Sequence, residues 1–222
     1  MTDVTEGEAP ILSVYLSALD PPDIRAARLI ATEALDSGMT SAQLIDTVLR
    51  PAQEEIGRRW QNNECSVAQE HAATAITDSV LALSSLRNPQ ADSNQATVVG
   101  GCVEGDWHTL PLRMLSSTLV ASGLDVTFLG PSLPGAQFAR SLNDIQPTVA
   151  LLSCTTPINL PGARRTVEVA HQAGVSVIIG GRALDPDRVR AAAVGADAFA
   201  AYAAGAPARL AARARRPPAP PP

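Results

Sequence analysis

The stretch ATVVGGCVEGDWHTLP, residues 96–111, decides the fold. Its first eight residues form a continuous apolar, β-branched run, as expected for a strand buried on both faces. A polar loop follows, Glu104-Gly105-Asp106-Trp107-His108-Thr109, and then Leu110-Pro111, where proline suits a first helical turn. The same rhythm repeats downstream. LPLRMLSSTLVASG predicts a helix ending at Gly123, DVTFLG a strand, PGAQFARSLNDI a helix and TVALLSC a strand. LPGARRTVEVAHQAG predicts a helix, VSVIIGG a strand, DPDRVRAAAVG a helix and ADAFAA a last strand. Strands alternating with helices in this way imply an α/β fold, a five-stranded parallel doubly wound (flavodoxin-like) sheet over residues 96–207. Ligands bind such sheets beyond the carboxyl ends of the strands.

Upstream, residues 1–90 read as a bundle of four to five helices. ILSVYLSAL repeats apolar positions at helical steps, and Asp20-Pro21-Pro22-Asp23 breaks one helix and starts the next. DIRAARLIATEALDS runs to Gly38. Ser41 is the expected cap of AQLIDTVLRPAQEEIGRRW, and Pro51 is expected to split or kink that run. Ser66 with Gln69 is a capping-box pattern opening VAQEHAATAITDSVLALSSL. NPQADSNQ, residues 88–95, reads as a linker, and the Arg- and Pro-rich residues 208–222 as a disordered tail.

Composition narrows the chemistry. Of 222 residues, 17 are basic and 22 acidic, a net charge of −5, which argues against a dedicated nucleic-acid surface. Every basic residue is arginine, so Schiff-base chemistry and a Walker-type phosphate loop are excluded. Cys65, Cys102 and Cys154 form no CxxC pair and are expected as buried, reduced thiols of a cytoplasmic protein. The N-terminus has no signal-peptide pattern, and no apolar run is long enough to span a membrane. Gly100-Gly101-Cys102-Val103-Glu104-Gly105 lacks GxGxxG, and Ser153, Cys154 and Thr155-Thr156 have no histidine placed to activate them.

Asp106 and His108 stand two apart on the first strand's loop. That spacing lets the carboxylate reach the imidazole Nδ1–H, which turns Nε2 outward as a metal ligand of raised basicity. One protein ligand does not hold a bare transition ion tightly, so the metal has to arrive caged by a cofactor. Asp106-Trp107-His108-Thr109-Leu110-Pro111, Ser153-Cys154-Thr155 and Gly180-Gly181, each on a predicted strand-end loop, together resemble the cobalamin-binding signature Asp-x-His-x-x-Gly, Ser-x-Leu, Gly-Gly. Pro111 replaces the family's glycine and Thr155 its leucine. The resemblance implies His108 as lower cobalt ligand in place of the cofactor's own benzimidazole, with Asp106 holding it. It also implies the detached nucleotide tail beside Ser153 and Thr155 and against Gly180 and Gly181. Taken alone, Gly180-Gly181 fits an ordinary strand-to-helix turn.

A second set lies in the helical half. Val67, Glu70 and His71 share one helical face, shortly after Trp60. In a generic bundle these are a core tryptophan and a surface Glu–His pair. With the cobalamin signature beside them they resemble the helical cap of CarH/LitR-type cobalamin photoreceptors, without the family's DNA-binding domain. The resemblance implies Trp60 and Val67 around an adenosyl group, Glu70 on its ribose hydroxyls and His71 lining the pocket. Where the family has a histidine directly after the tryptophan, this chain has Gln61. His171, in AHQAG, is expected at the surface.

Three functions follow as expectations. In the first, the chain is a light or ligand sensor binding cobalamin, with adenosylcobalamin favoured over methylcobalamin. It regulates transcription through a protein partner or self-association, without contacting nucleic acid or membrane. In the second, it is the corrinoid carrier subunit of a methyltransferase system, with Asp106 and His108 tuning cobalt. In the third, it stores or delivers cobalamin.

Overall fold

The computed structural model describes residues 8–87, 96–184 and 188–199, which leaves the expected linker and tail outside the described residues. The chain divides into two compact units between Pro89 and Gln90.

The first unit contains α1 (Glu8–Leu19), α2 (Ile24–Asp36), α3 (Ser41–Leu44), α4 (Arg50–Gln61) and α5 (Val67–Ser85). Asp23 caps α2, its Oδ1 accepting the N–H groups of Arg25 at 2.9 Å and Ala26 at 3.0 Å. Ser66 and Gln69 form the capping box of α5. The box of α3 is Thr40 with Gln43, which corrects the expected cap at Ser41. A capping box needs Glu or Gln three residues on, and only Thr40 has one. Ser41 is buried, and its hydroxyl donates to the Ser84 carbonyl at 2.8 Å. Pro51 does not end the helix. A π-helical turn, Ile45–Leu49, joins α3 to α4, and Pro51 sits in the first turn of α4, where the widened coil accommodates its missing N–H. The unit's core includes Tyr15, Leu19, Leu44, Leu49 and Leu81. Tyr15 donates its hydroxyl to Thr77 Oγ1 at 3.1 Å, and Gln53 Nε2 donates to the same oxygen at 2.8 Å.

The second unit contains β1 (Thr97–Cys102), α6 (Leu110–Ala121), β2 (Asp125–Phe128), α7 (Gly135–Ile145), β3 (Val149–Ser153), α8 (Leu160–Gln172), β4 (Ser176–Gly180), α9 (Arg188–Ala193) and β5 (Ala198–Phe199). The five strands are parallel in the order β2-β1-β3-β4-β5, the α/β architecture expected from the sequence. Alternate strand residues face opposite layers. Val99, Ala150, Leu152, Val177 and Ile179 pack with Phe138 of α7 and Val167 of α8. Val98, Val149, Leu151 and Ile178 pack with Leu112 and Leu119 of α6. Register levels the strand ends: Cys102 pairs with Ser153, and Ser153 with Gly180. The loops after β1, β3 and β4 therefore meet at one edge of the sheet. Among the described residues, no helix is long and apolar enough to cross a membrane.

Candidate functional site

The loop after β1 is folded by its neighbours. The Val103 N–H donates to the Ser153 carbonyl at 3.0 Å, and the Asp106 N–H to the Val103 carbonyl at 2.9 Å. These bonds turn the Asp106 side chain inward, where it is fully buried. Its Oδ1 accepts the His108 backbone N–H at 3.0 Å and lies 2.8 Å from His108 Nδ1. Its Oδ2 accepts the Thr155 N–H. Burial by itself would raise the Asp106 carboxyl, but the His108 side-chain and backbone hydrogen bonds and the Thr155 amide hold it below its ordinary value. An ionised carboxylate only accepts, so Nδ1 carries the hydrogen and Nε2 is the basic nitrogen of the neutral ring. The His108 side chain is 58% exposed.

The remaining sheet residues frame this pair. Ser153 ends β3 and is buried. The Cys154 N–H donates to the Gly180 carbonyl at 2.9 Å. Gly181 has φ +110, and a Cβ there would lie 2.2 Å from the Cys154 carbonyl oxygen. Its glycine identity is thus demanded by the chain's own backbone, before any ligand is considered. Cys102 and Cys154 are buried, while Cys65 is only half-buried because it follows the end of α4 outside the core. Burial pushes both inner thiols up to about 12, and the nearby Asp106 charge adds to the effect. Trp107 and Ile158, by contrast, are large apolar side chains left 71% and 84% exposed.

Two contacts of this loop lay outside the sequence reading. Ser132 Oγ accepts the Gly105 N–H at 3.0 Å from 27 residues away. Asn159 donates through Nδ2 to Thr156 Oγ1 at 3.0 Å, and its Oδ1 would lie 2.8 Å from a Cβ on Gly105. No local spacing signals either residue; only the parallel sheet brings their loops to Gly105.

In the helical unit Trp60 and Val67 are about half exposed. Trp60 is therefore no core tryptophan. Thr74 Oγ1 lies 3.0 Å from Oε1 of Glu70, in the first turn of α5, and 2.9 Å from Gln53 Oε1, so the two acceptors share its one hydroxyl hydrogen. His71 is largely exposed, with Nε2 3.6 Å from Glu70 Oε2. His171 ends α8 with Nε2 2.9 Å from Asp197 Oδ2.

The donor set fits a corrinoid. One oriented, exposed imidazole stands beside exposed apolar side chains, and among the described residues no three His, Cys, Asp or Glu gather to hold a metal. A cobalt already held in its macrocycle needs only the one axial nitrogen.

Comparison with known proteins agrees. A B12 binding domain model matches residues 96–211, and a second B12 binding domain model matches residues 15–83. Dimethylamine corrinoid protein 1 of Methanosarcina acetivorans is 28% identical over 189 residues, covering 82% of this chain and 88% of its own. Dimethylamine corrinoid protein 3 of Methanosarcina mazei is 30% identical over 158 residues, covering 68% and 93%. The structure of the Methanosarcina barkeri monomethylamine corrinoid protein superimposes with a TM-score of 0.73 at 18% identity, covering 87% and 93%, and so shares the fold. Relatives named as methylamine corrinoid proteins overturn the expectation of a light sensor acting on transcription. They favour the carrier alternative. The physical reason is that Trp60 on α4 and Val67, Glu70 and His71 on α5 are partly to largely exposed side chains of two helices, and such a set does not specify photochemistry.

Proposed function

We propose that this chain, which belongs to the B12 binding domain family, is the corrinoid carrier of a methyl-transfer system whose partners are methyltransferases. The observation that carries this reading is the buried Asp106 carboxylate 2.8 Å from Nδ1 of the exposed His108 ring. The relatives' names add methylamines as the first donor class to test and methylcobalamin as the working form of the cofactor. When bound, the corrinoid supplies a cobalt that accepts and releases a methyl group. The chain holds and orients it. His108 is the proposed lower ligand through Nε2. Asp106 holds the ring hydrogen on Nδ1, which leaves Nε2 as the donor nitrogen, fixes the ring plane and raises its basicity. Ser153, Thr155, Gly180 and Gly181 are the proposed contacts for the nucleotide tail. Trp60, Val67, Glu70 and His71 are proposed as contacts of the helical unit with the cofactor.

The test is a pair of proteins, wild type and His108→Ala, each grown with isotopically labelled histidine and loaded with cob(II)alamin. Wild type should show an axial-nitrogen splitting in its EPR spectrum that changes with the label. The variant should lose the label-sensitive splitting and unfold cooperatively but somewhat below wild type, because buried Asp106 keeps only the backbone N–H groups of residues 108 and 155. A wild-type protein that retains no corrinoid would refute the reading.

A further inference from the structure

Resting on the corrinoid reading, we infer that Ser132 is a positioning residue for His108. The chain leaves β1 and reaches Asp106 through Gly105, whose φ is +86. A glycine places no side-chain limit on its own torsions, so the direction in which Asp106 and His108 leave the strand must be set from outside. A side chain at residue 105 would be strained at this φ, and its Cβ would lie 2.8 Å from Asn159 Oδ1. Ser132 brackets this swivel. Its Oγ accepts the Gly105 N–H at 3.0 Å, and its own N–H donates to the Asp106 carbonyl at 2.9 Å.

The bracket is itself anchored. The Leu129 N–H donates to the Gly100 carbonyl at 2.8 Å, and the Leu133 N–H to the Cys102 carbonyl at 3.0 Å. A Cβ on Gly101 would lie 2.1 Å from Leu133 Cδ1, so the segment seats on β1 itself. Ser132 has φ +46, a left-handed conformation that glycine and asparagine adopt with less strain than serine. A strained serine whose two bonds fall on the swivel residue and on the residue directly after it points to a local fixing role. Ser132 acts on cobalt only through Gly105, Asp106 and His108, and Asp106 stays anchored to Thr155 whatever occupies position 132.

The left-handed φ separates positioning from folding. Ser132→Gly removes the Oγ acceptor but relaxes the backbone and keeps the N–H bond to Asp106. Its melting temperature should equal or exceed that of wild type. Its affinity for methylcobalamin should fall about three- to tenfold, the effect of one neutral hydrogen bond. In the cob(II)alamin form the label-sensitive axial splitting should weaken or broaden. Ser132→Asn tolerates the left-handed φ and restores a side-chain acceptor, so it should recover affinity and splitting. If Ser132→Gly binds and ligates like wild type, or if its losses track a fall in melting temperature, the positioning role is overturned while the carrier reading stands. If wild type binds no corrinoid, the carrier reading fails and this inference fails with it.

Discussion

Replacing Asp106 by asparagine tests the site with almost no change in shape. The carboxylate accepts three N–H groups, two from His108 on Oδ1 and one from Thr155 on Oδ2. An amide has one acceptor oxygen and one donor nitrogen, so each of its two orientations fails. With the oxygen toward His108, the NH2 group faces the Thr155 N–H, donor against donor. With the oxygen toward Thr155, the NH2 group faces the His108 N–H and forces Nδ1 to accept. The ring then carries its hydrogen on Nε2, which no longer serves as a ligand. The first orientation strands one buried amide and exchanges a charge-assisted acceptor for a neutral one, a loss of about 1–3 kcal/mol. For a chain of this size that corresponds to a melting temperature lower by roughly 3–10 °C. Thermal unfolding of the cofactor-free protein reads this term. Cob(II)alamin EPR with labelled histidine reads the second: the fraction of cobalt carrying the imidazole should fall in the variant. Asparagine at 106 with unchanged stability and undiminished axial splitting would show that His108 takes its orientation from elsewhere.

Gly181→Ala places a Cβ 2.2 Å from the Cys154 carbonyl oxygen at a φ of +110, and should destabilise the sheet unit by about 2–5 kcal/mol. Urea unfolding followed through Trp107 in a Trp60→Phe background measures it, and a wild-type midpoint would contradict the geometry. Tyr15 gives the helical unit an alkaline limit. Burial raises its phenol to about 12, with a smaller opposing effect from its hydrogen bond to Thr77. The folded value lies above the unfolded value of about 10, so this contribution is complete below pH 10 and is lost as pH rises through 12, amounting to about 2–3 kcal/mol. Tyr15→Phe should flatten the decline between those limits, as followed through Trp60 in a Trp107→Phe background. A variant as alkali-sensitive as wild type would assign the limit to another group.

The fold was legible wherever burial alone fixes a pattern. TVALLSC reads as a strand covered on both faces, and every residue of β3 is buried. The helix starts were less legible because the competing serine and threonine are adjacent. Thr40 prevails over Ser41 through Gln43, and Ser41 is drawn into the core by Ser84. Pro51 marks an interruption that could be read, since the run passes from α3 through a π turn, Ile45–Leu49, into α4, although the π form of that interruption has no local signal.

The same division runs through the site. Asp106 and His108 are neighbours in sequence, so their pairing could be read from spacing. Thr155, Ser132 and Asn159 reach the loop only because β1 pairs with β3 and the segment after β2 seats against β1. Tertiary register, not spacing, places Ser132 and Asn159, while Thr155, which the strand-end pattern singles out, meets Asp106 through its backbone N–H and not through the residue type that the pattern reads. The light-sensor expectation drawn from the helical residues shows the converse error. Trp60, Val67, Glu70 and His71 match a pattern of types, yet Glu70 is already engaged by Thr74 and half-exposed Trp60 and Val67 suit any large apolar ligand. A cluster of types specifies chemistry only when the geometry leaves each member one role. Asp106, buried with both carboxylate oxygens committed, meets that condition. The helical set does not, which is why the cofactor class was readable from this chain and the use made of it was not.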